Sequence, residues 1–353
     1  MKKIALLLCL LLLTQLLAGC YFSPPIAIFH GSSSTSGLDQ HALDALLEEA
    51  KLPYDAYFAG ADTALQLEQV MSAAEGRYRI FAVELAEPGN TQAAEAILQA
   101  AGDIPVVFFG NSLGYEGNDI ALLDSYPSAG FIGQDPLEGG IIQGRMIGSY
   151  VLNNYGSMDL NGDGVITYAL FRGEEENTES TILAQRSVEE ADVILTDAGR
   201  IALSYYDSQN HDRYQIAGNS AQTARELMSD ALAYWNTGSG NMIELVICTD
   251  DALALGAVEA LQDAGFNLPH TCTIPVFGFG NTPDVQNLLS TDAITGTVRT
   301  DNTAITDALF TVLQTVCGKH TIAHAIAALS SDSRLYVTED CLSRLCLTCY
   351  PVD

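Results

Sequence analysis

Short apolar runs alternate with helix-patterned segments along most of this chain, and that alternation constrains the fold more than any other feature. Six runs read as strands: PIAIF (25–29), RIFAVEL (79–85), IPVVFFG (104–110), GVITYALF (164–171), ELVICT (244–249) and IPVFGF (274–279). All but GVITYALF are followed within a few residues by apolar positions at helical spacing, clearest over 38–51, 91–101, 136–153 and 251–264. Near-continuous apolar strands are buried on both faces, so they belong to parallel sheets wrapped by helices on each side. In such α/β sheets ligands collect at the carboxyl ends of the strands. No repeat, low-complexity tract or long linker interrupts the pattern, although SSSTSG (32–37) reads as a flexible loop directly after the first strand.

The first twenty residues do not belong to that pattern. MKKIALLLCLLLLTQLLAGC places Lys2 and Lys3 before an apolar stretch from Ile4 to Leu13, and it is too short for a comfortable membrane span. It reads as an export signal. Leu17-Ala18-Gly19-Cys20 resembles the bacterial lipobox, in which Cys20 is lipidated and becomes the first mature residue. The chain would then sit outside the cytoplasmic membrane, anchored by acyl chains. About 330 residues remain after processing, more than one hydrophobic core usually serves, so two lobes are expected.

Charge narrows the possible partners. The formal charge is −29, and removing Lys2 and Lys3 takes it to −31, leaving Lys51 and Lys319 as the lysines. With no basic run, a polyanion such as DNA or RNA would be repelled. An acidic coat suits an exported protein and favours divalent cations. Beyond Cys9 and Cys20 stand Cys248, Cys272, Cys317, Cys341, Cys346 and Cys349. An even number outside the cell makes disulfides plausible, with buried free thiols as the alternative. The C-x4-C-x2-C run at 341–349 lacks the second pair or nearby histidine that a metal knuckle needs. No GxSxG, HExxH or P-loop is present, and no enzyme is expected. His211 and His270 read as surface loop residues, whereas His30, at the end of the first strand, could reach a cleft. Glu174-Glu175-Glu176 reads as a solvated loop, and the single tryptophan, Trp235, as packing.

The stretch DLNGDGVIT (159–167) carries more specific chemistry. Asp159, Asn161 and Asp163 fall at positions 1, 3 and 5 of a calcium loop, Gly164 makes the sharp turn, the Val165 carbonyl is position 7 and Thr167 is position 9. Position 12 is Leu170, so a bidentate carboxylate must come from elsewhere. The alternative is an Asx-rich surface turn.

Five segments, in this order and spacing, resemble the periplasmic galactose/glucose-binding proteins: GIIQG (140–144), DLNGDGVIT, MIELVICTDDALALGAVEAL (242–261), IPVFGFGNTPD (274–284) and ITGTV (294–298). The resemblance runs from about residue 25 to about residue 340. It implies a type I periplasmic-binding-protein fold, α/β, with two Rossmann-like lobes of parallel sheet joined by a three-segment hinge. Crossings are expected near Gly133, Arg299 and Val337. That gives an N-terminal lobe of 24–133 plus 300–337, and a C-terminal lobe of 134–299 plus 338–353 that carries the calcium loop. The last twelve residues have no counterpart.

The resemblance also implies a structural Ca2+, with Glu244 as the missing carboxylate. The implied ligand is a monosaccharide or similar small polar molecule, delivered by a monomer to an ABC permease; the alternative is presentation to a membrane receptor or sensor kinase. The family's sugar-contacting set is largely replaced. Its asparagine falls on Gly110, with Asn111 beside it, and its His-Pro-Asp segment on Asn177-Thr178-Glu179. Its arginine falls on Leu183, its stacking tryptophan on Gly218, its Asn-Asp pair on Asp250-Asp251, its later aspartate on Gly280 and its last asparagine on Thr300. After the first strand, His30 and Ser32 stand where an acid and an aromatic ring are expected. The ligand contacts expected here are therefore Asn111, Asn177, Glu179, Asp250 and Thr300.

The lipobox reading has a direct test. Cys20→Ser removes the thiol that acylation needs, so the variant should accumulate as a full-length precursor or leave the membrane fraction. Normal processing with unchanged membrane retention would overturn the anchor.

Overall fold

The structure is a computed structural model, and it describes residues 25–31, 38–115, 117–175, 177–235, 241–280 and 282–353. The export signal, Cys20, the 32–37 loop with Ser32, and Glu176 lie outside the described residues.

The first part of the chain alternates strictly: β1 (Ile26–Gly31), α1 (Gln40–Glu49), β2 (Tyr54–Gly60), α2 (Thr63–Ala74), β3 (Ile80–Val83), α3 (Thr91–Ala101), β4 (Val106–Gly110), α4 (Asn118–Ser125) and β5 (Ala129–Gly133). A second alternating run follows. It comprises α5 (Pro136–Met158), β6 (Thr167–Arg172), α6 (Thr178–Asp197), the short β7 (Ser204–Tyr205) and β8 (Gln215–Ile216), α7 (Ala221–Tyr234), β9 (Leu245–Cys248), α8 (Asp251–Asp263), β10 (Val276–Phe279), α9 (Pro283–Leu289) and β11 (Gly296–Thr300). The chain ends with α10 (Thr303–Cys317), α11 (Ile322–Leu329), β12 (Leu335–Thr338), β13 (Cys341–Leu347) and β14 (Cys349–Val352).

These strands form two sheets. One has the order β12-β13-β5-β4-β3-β1-β2, and the other β14-β11-β10-β9-β6-β7, with β8 also against β6. Every pairing is parallel except β12 with β13 and β11 with β14. Alternation along β1 shows how the first sheet is buried. Ile26 and Ile28 join Leu43, Leu47, Leu309 and Leu313 on one face, while Ala27 and Phe29 join Val70, Ile97 and Leu98 on the other. The second sheet has its own core, where Ile147, Phe171, Ile247, Leu253 and Phe277 meet. Each such side chain stabilises by roughly 1.5–3 kcal/mol when fully buried. Cores of this kind do not depend on covalent staples, and all six cysteines beyond the signal are free thiols, Cys248, Cys341, Cys346 and Cys349 being buried.

All six apolar runs become strands, and the expected helices appear, with α5 extending to Met158. Two expectations need correction. GVITYALF does lead into a helix, since β6 is followed by α6, whose buried positions Leu183, Ala184, Ala191 and Leu195 are thinly spread among polar residues. The third passage between sheets also falls later than Val337. β12 and β13 both lie in the first sheet, only Thr348 intervenes, and β14 lies in the second. Residues 341–347 therefore belong with the N-terminal sheet rather than the C-terminal lobe, because β13 pairs in parallel with β5. The other passages are residues 134–135, between β5 and α5, and 301–302, between β11 and α10.

Candidate functional site between the lobes

Helices that follow parallel strands begin at the carboxyl edge of the sheet, and here polar residues cap them. Asp39, Asp62, Asn90, Asp135, Asn177 and Asp250 each accept a backbone N–H in the first turn of the helix they precede. A cap of this kind stabilises by about 0.5–2 kcal/mol. Acidic and amide side chains are thereby fixed along the edge where the two lobes meet.

One of the hydrogen bonds between the lobes lies at this edge. Ser112, just after β4, donates its backbone N–H to Glu179 Oε1 at 2.8 Å, and Glu179 sits in the first turn of α6. Beside this contact a cavity of about 1130 Å³ opens between the lobes, lined among others by Ser112, Tyr115, Glu138, Ile182, Arg186 and Thr338. Burial pushes the Glu179 carboxyl up from its ordinary value, against the Ser112 hydrogen bonds that pull it down. Burial, with the charge of Glu179, also pushes up the Tyr115 hydroxyl.

A cluster of charge clamps the passages between the sheets. Arg344, buried on β13, lies 2.9 Å from Asp119 of α4 and 3.0 Å from Asp135, the cap of α5. Tyr336 on β12 donates its hydroxyl to the same Asp135 oxygen at 3.1 Å. The first and third passages are thus tied together. Sequence reasoning missed Arg344 because it lies in the terminal segment without a counterpart.

Each of the five expected contacts already has a partner within the protein. Asn111 is buried and donates its amide to the Leu85 carbonyl at 2.9 Å. Asn177 accepts the Ser180 N–H at 3.0 Å as the α6 cap. Glu179 takes Ser112, and Thr300 donates to Asn302 Oδ1 at 3.0 Å. Asp250 caps α8 through Ala252 N–H at 2.7 Å, and burial raises its carboxyl above the usual range. The adjacent Asp251 is instead buried. It accepts the Thr282 N–H at 2.6 Å and the Thr297 hydroxyl at 2.9 Å, joining α8 to the ends of β10 and β11.

The neighbouring loops are held in other ways. Arg172, buried at the end of β6, donates to the carbonyls of Glu174, Glu175 and Asn177 and lies over the Tyr214 ring. It fixes the acidic loop, whose Glu174 and Glu175 are exposed. His30 is half-buried and stacks on Phe58 with ring centroids 4.8 Å apart. His211 and His270 are exposed, and Trp235 packs edge-on against Tyr206.

Away from the cleft, the two segments of the expected calcium site come together. Glu244, buried just before β9, accepts Leu160 N–H at 2.6 Å and Thr167 N–H at 3.0 Å. Asp159 accepts the N–H groups of Gly162, Asp163 and Gly164, and Asp163 accepts that of Val165. Asn161 donates to Asp163 at 3.0 Å, whereas Thr167 turns its hydroxyl to the Met242 carbonyl. The oxygen-rich donors fit a hard cation by type, and burial raises the Glu244 carboxyl, with the Asp159 charge adding to the rise. Their oxygens are turned to backbone N–H groups, however. Among the described residues, no three His, Cys, Asp or Glu side chains stand together as a metal cluster.

A family model described as the periplasmic binding protein domain matches residues 36–320. The chain is 29% identical over 242 residues to the D-galactose/methyl-galactoside binding periplasmic protein MglB of Haemophilus influenzae, covering 68% of this chain. It spans 64% of that relative's length. Among solved structures, the fold resembles an ABC transporter solute binding protein from Bacillus halodurans with bound myo-inositol (TM-score 0.59, 18% identity, covering 85% of this chain and 91% of that one). It also resembles the arabinose transporter's periplasmic binding protein from Shewanella, bound to L-arabinofuranose (TM-score 0.59, 19% identity, covering 93% and 91%).

The raised Glu179 carboxyl gives a pH signature. A carboxyl whose folded pKa is raised keeps its proton where the unfolded chain has lost it, so stability falls as pH rises through that window. Melting temperature should therefore increase as pH falls from neutrality toward the ordinary carboxyl value of 4.5, and Glu179→Gln should flatten part of that slope. A variant with the parent's slope would show that Glu179 is not the titrating group.

Proposed function

Because the chain belongs to the periplasmic binding protein family, we propose that it is a lipid-anchored, extracytoplasmic receptor that binds a monosaccharide or similar small polar ligand for an ABC importer. The observation that carries this reading is the pair of lobes, joined by three passages, around a cavity edged with amide, hydroxyl, carboxylate and guanidinium groups. The sugar-binding relative supports the ligand class.

The pocket differs from a galactose site in ways the packing explains. Leu183, at the arginine position, is buried against Gly139 and Gly140 of α5, and Gly280 lies against the Asp251 carboxylate. A charge-assisted hydrogen bond is worth about 1.5–3 kcal/mol, and on this reading its loss is offset by contacts from Asn111, Asn177, Glu179, Asp250 and Thr300, none of which is among the residues lining the cavity beside Ser112.

A thermal-shift screen of the mature protein against monosaccharides, polyols and nucleosides tests the class, because a ligand at a hundred times its dissociation constant stabilises by about 2.7 kcal/mol. Asp250→Asn then tests the site, since Asn caps helices about as well as Asp. The melting temperature should hold while affinity for the identified ligand falls by about tenfold or more. Affinity equal to the parent's would remove Asp250 from the site.

The same reading gives the 159–167 loop a structural Ca2+, held by Asp159, Asn161, Asp163, the Val165 carbonyl, Thr167 and Glu244. In support, a buried carboxylate lies beside a turn of like-charged residues, and a cation there would offset both the burial and the repulsion. The ion would supply charge neutralisation, while the chain's own residues join two distant segments. Chelator should lower the parent's melting temperature, and Asp159→Ala or Glu244→Gln should abolish the sensitivity. Superimposable parent curves with and without chelator would mean that the loop works without an ion.

A further inference from the structure

On the outer side of the first lobe, α10 ends at Cys317 and a tight turn leads into α11. His320 lies in the turn and His324 in the first turn of α11. Their rings stack with centroids 4.8 Å apart and planes 19° apart. Both residues are exposed, so this pairing is not forced by core packing.

The backbone beneath the pair is fixed. His320 N–H donates to the Thr315 carbonyl at 3.2 Å and Lys319 N–H to that of Val316 at 2.9 Å. Thr321 caps α11 by accepting the His324 N–H at 3.2 Å. Ile322, Ala325 and Ile326 anchor the opposite face of α11 in the core. Two imidazoles on a rigid turn lose little further freedom when they converge on one ion.

We propose that His320 and His324 form a bidentate surface site for a borderline transition-metal cation, Cu2+ in preference to Ni2+ or Zn2+, with water completing the shell. Imidazole suits these ions, and their order of affinity follows the Irving–Williams series. Metal–imidazole distances near 2.0–2.1 Å place two ligating nitrogens about 3 Å apart, so binding requires the two rings to turn out of the stack until one nitrogen of each converges on the ion. Such a site is chemically separate from the oxygen-lined 159–167 loop, because hard Ca2+ takes oxygen ligands.

Chelator-washed mature protein, titrated with Cu2+ and followed by calorimetry and electron paramagnetic resonance, tests the assignment. One equivalent should bind with a nitrogen hyperfine pattern from two imidazoles, and excess Ca2+ should not displace it. His320→Ala and His324→Ala should each remove that equivalent, while Asp159→Ala should keep it. In a second measurement, Zn2+ should raise the melting temperature of the parent but not of either histidine variant. If both histidine variants bind Cu2+ with the parent's stoichiometry and spectrum, the metal sits elsewhere and the assignment is wrong.

Discussion

The buried guanidinium of Arg344 sets the geometry on which the rest of the cleft depends. It faces Asp119 of the first lobe and Asp135, the residue that caps α5 at the first passage. Losing one member of such a buried pair is strongly destabilising, on the order of 3–5 kcal/mol, because the other charge is left uncompensated. With its start fixed, α5 runs for 23 residues beneath the second sheet. Gly140, Gly144 and Gly148 recur at four-residue spacing along the face of α5 that meets α6, where an added Cβ would come within 2.6, 2.5 and 3.0 Å of α6 atoms. That close approach places the first turn of α6, and so Glu179, opposite Ser112.

Gln143 completes the same arrangement. It is buried on α5, donates to the carbonyls of Cys248 and Gly278 at the ends of β9 and β10, and accepts the Ser187 hydroxyl of α6. A buried amide without partners would be costly; with three it acts as a spacer among helix, helix and sheet. Clamp, glycine stripe and amide together fix how the second lobe presents its helix starts to the first.

An acidic chain faces a particular difficulty at such an edge, because carboxylates crowd where the helices begin. Backbone N–H groups offset much of it. Asp250 is stabilised by the first turn of α8, Asp251 by Thr282 and Thr297, and Glu244 by Leu160 and Thr167. Burial still raises the carboxyls of Glu179, Asp250 and Glu244. Asp250 thus serves folding directly, as the cap of α8.

The sequence by itself determined the class of fold. Apolar runs such as IPVVFFG and ELVICT are buried on both faces whatever surrounds them, and period and length mark them as strands of covered parallel sheets. The capping role of Asn177 is equally local, as is the turn at 159–164, because their partners lie within a few residues. Tertiary structure decided what depends on distant segments. β2, an edge strand with exposed residues, and β5, short and glycine-containing, carry no strong period of their own. β13 gains its place only by pairing with β5, some two hundred residues earlier, which moved the third passage from Val337 to Thr348. Asp250 and Asp251 are the same residue side by side. One caps a helix and the other is buried between strands, and only the positions of Thr282 and Thr297 separate them. Local sequence sets periodicity and capping; the partner of a buried charge is set by how sheets and helices stack, and no short window of sequence contains that information.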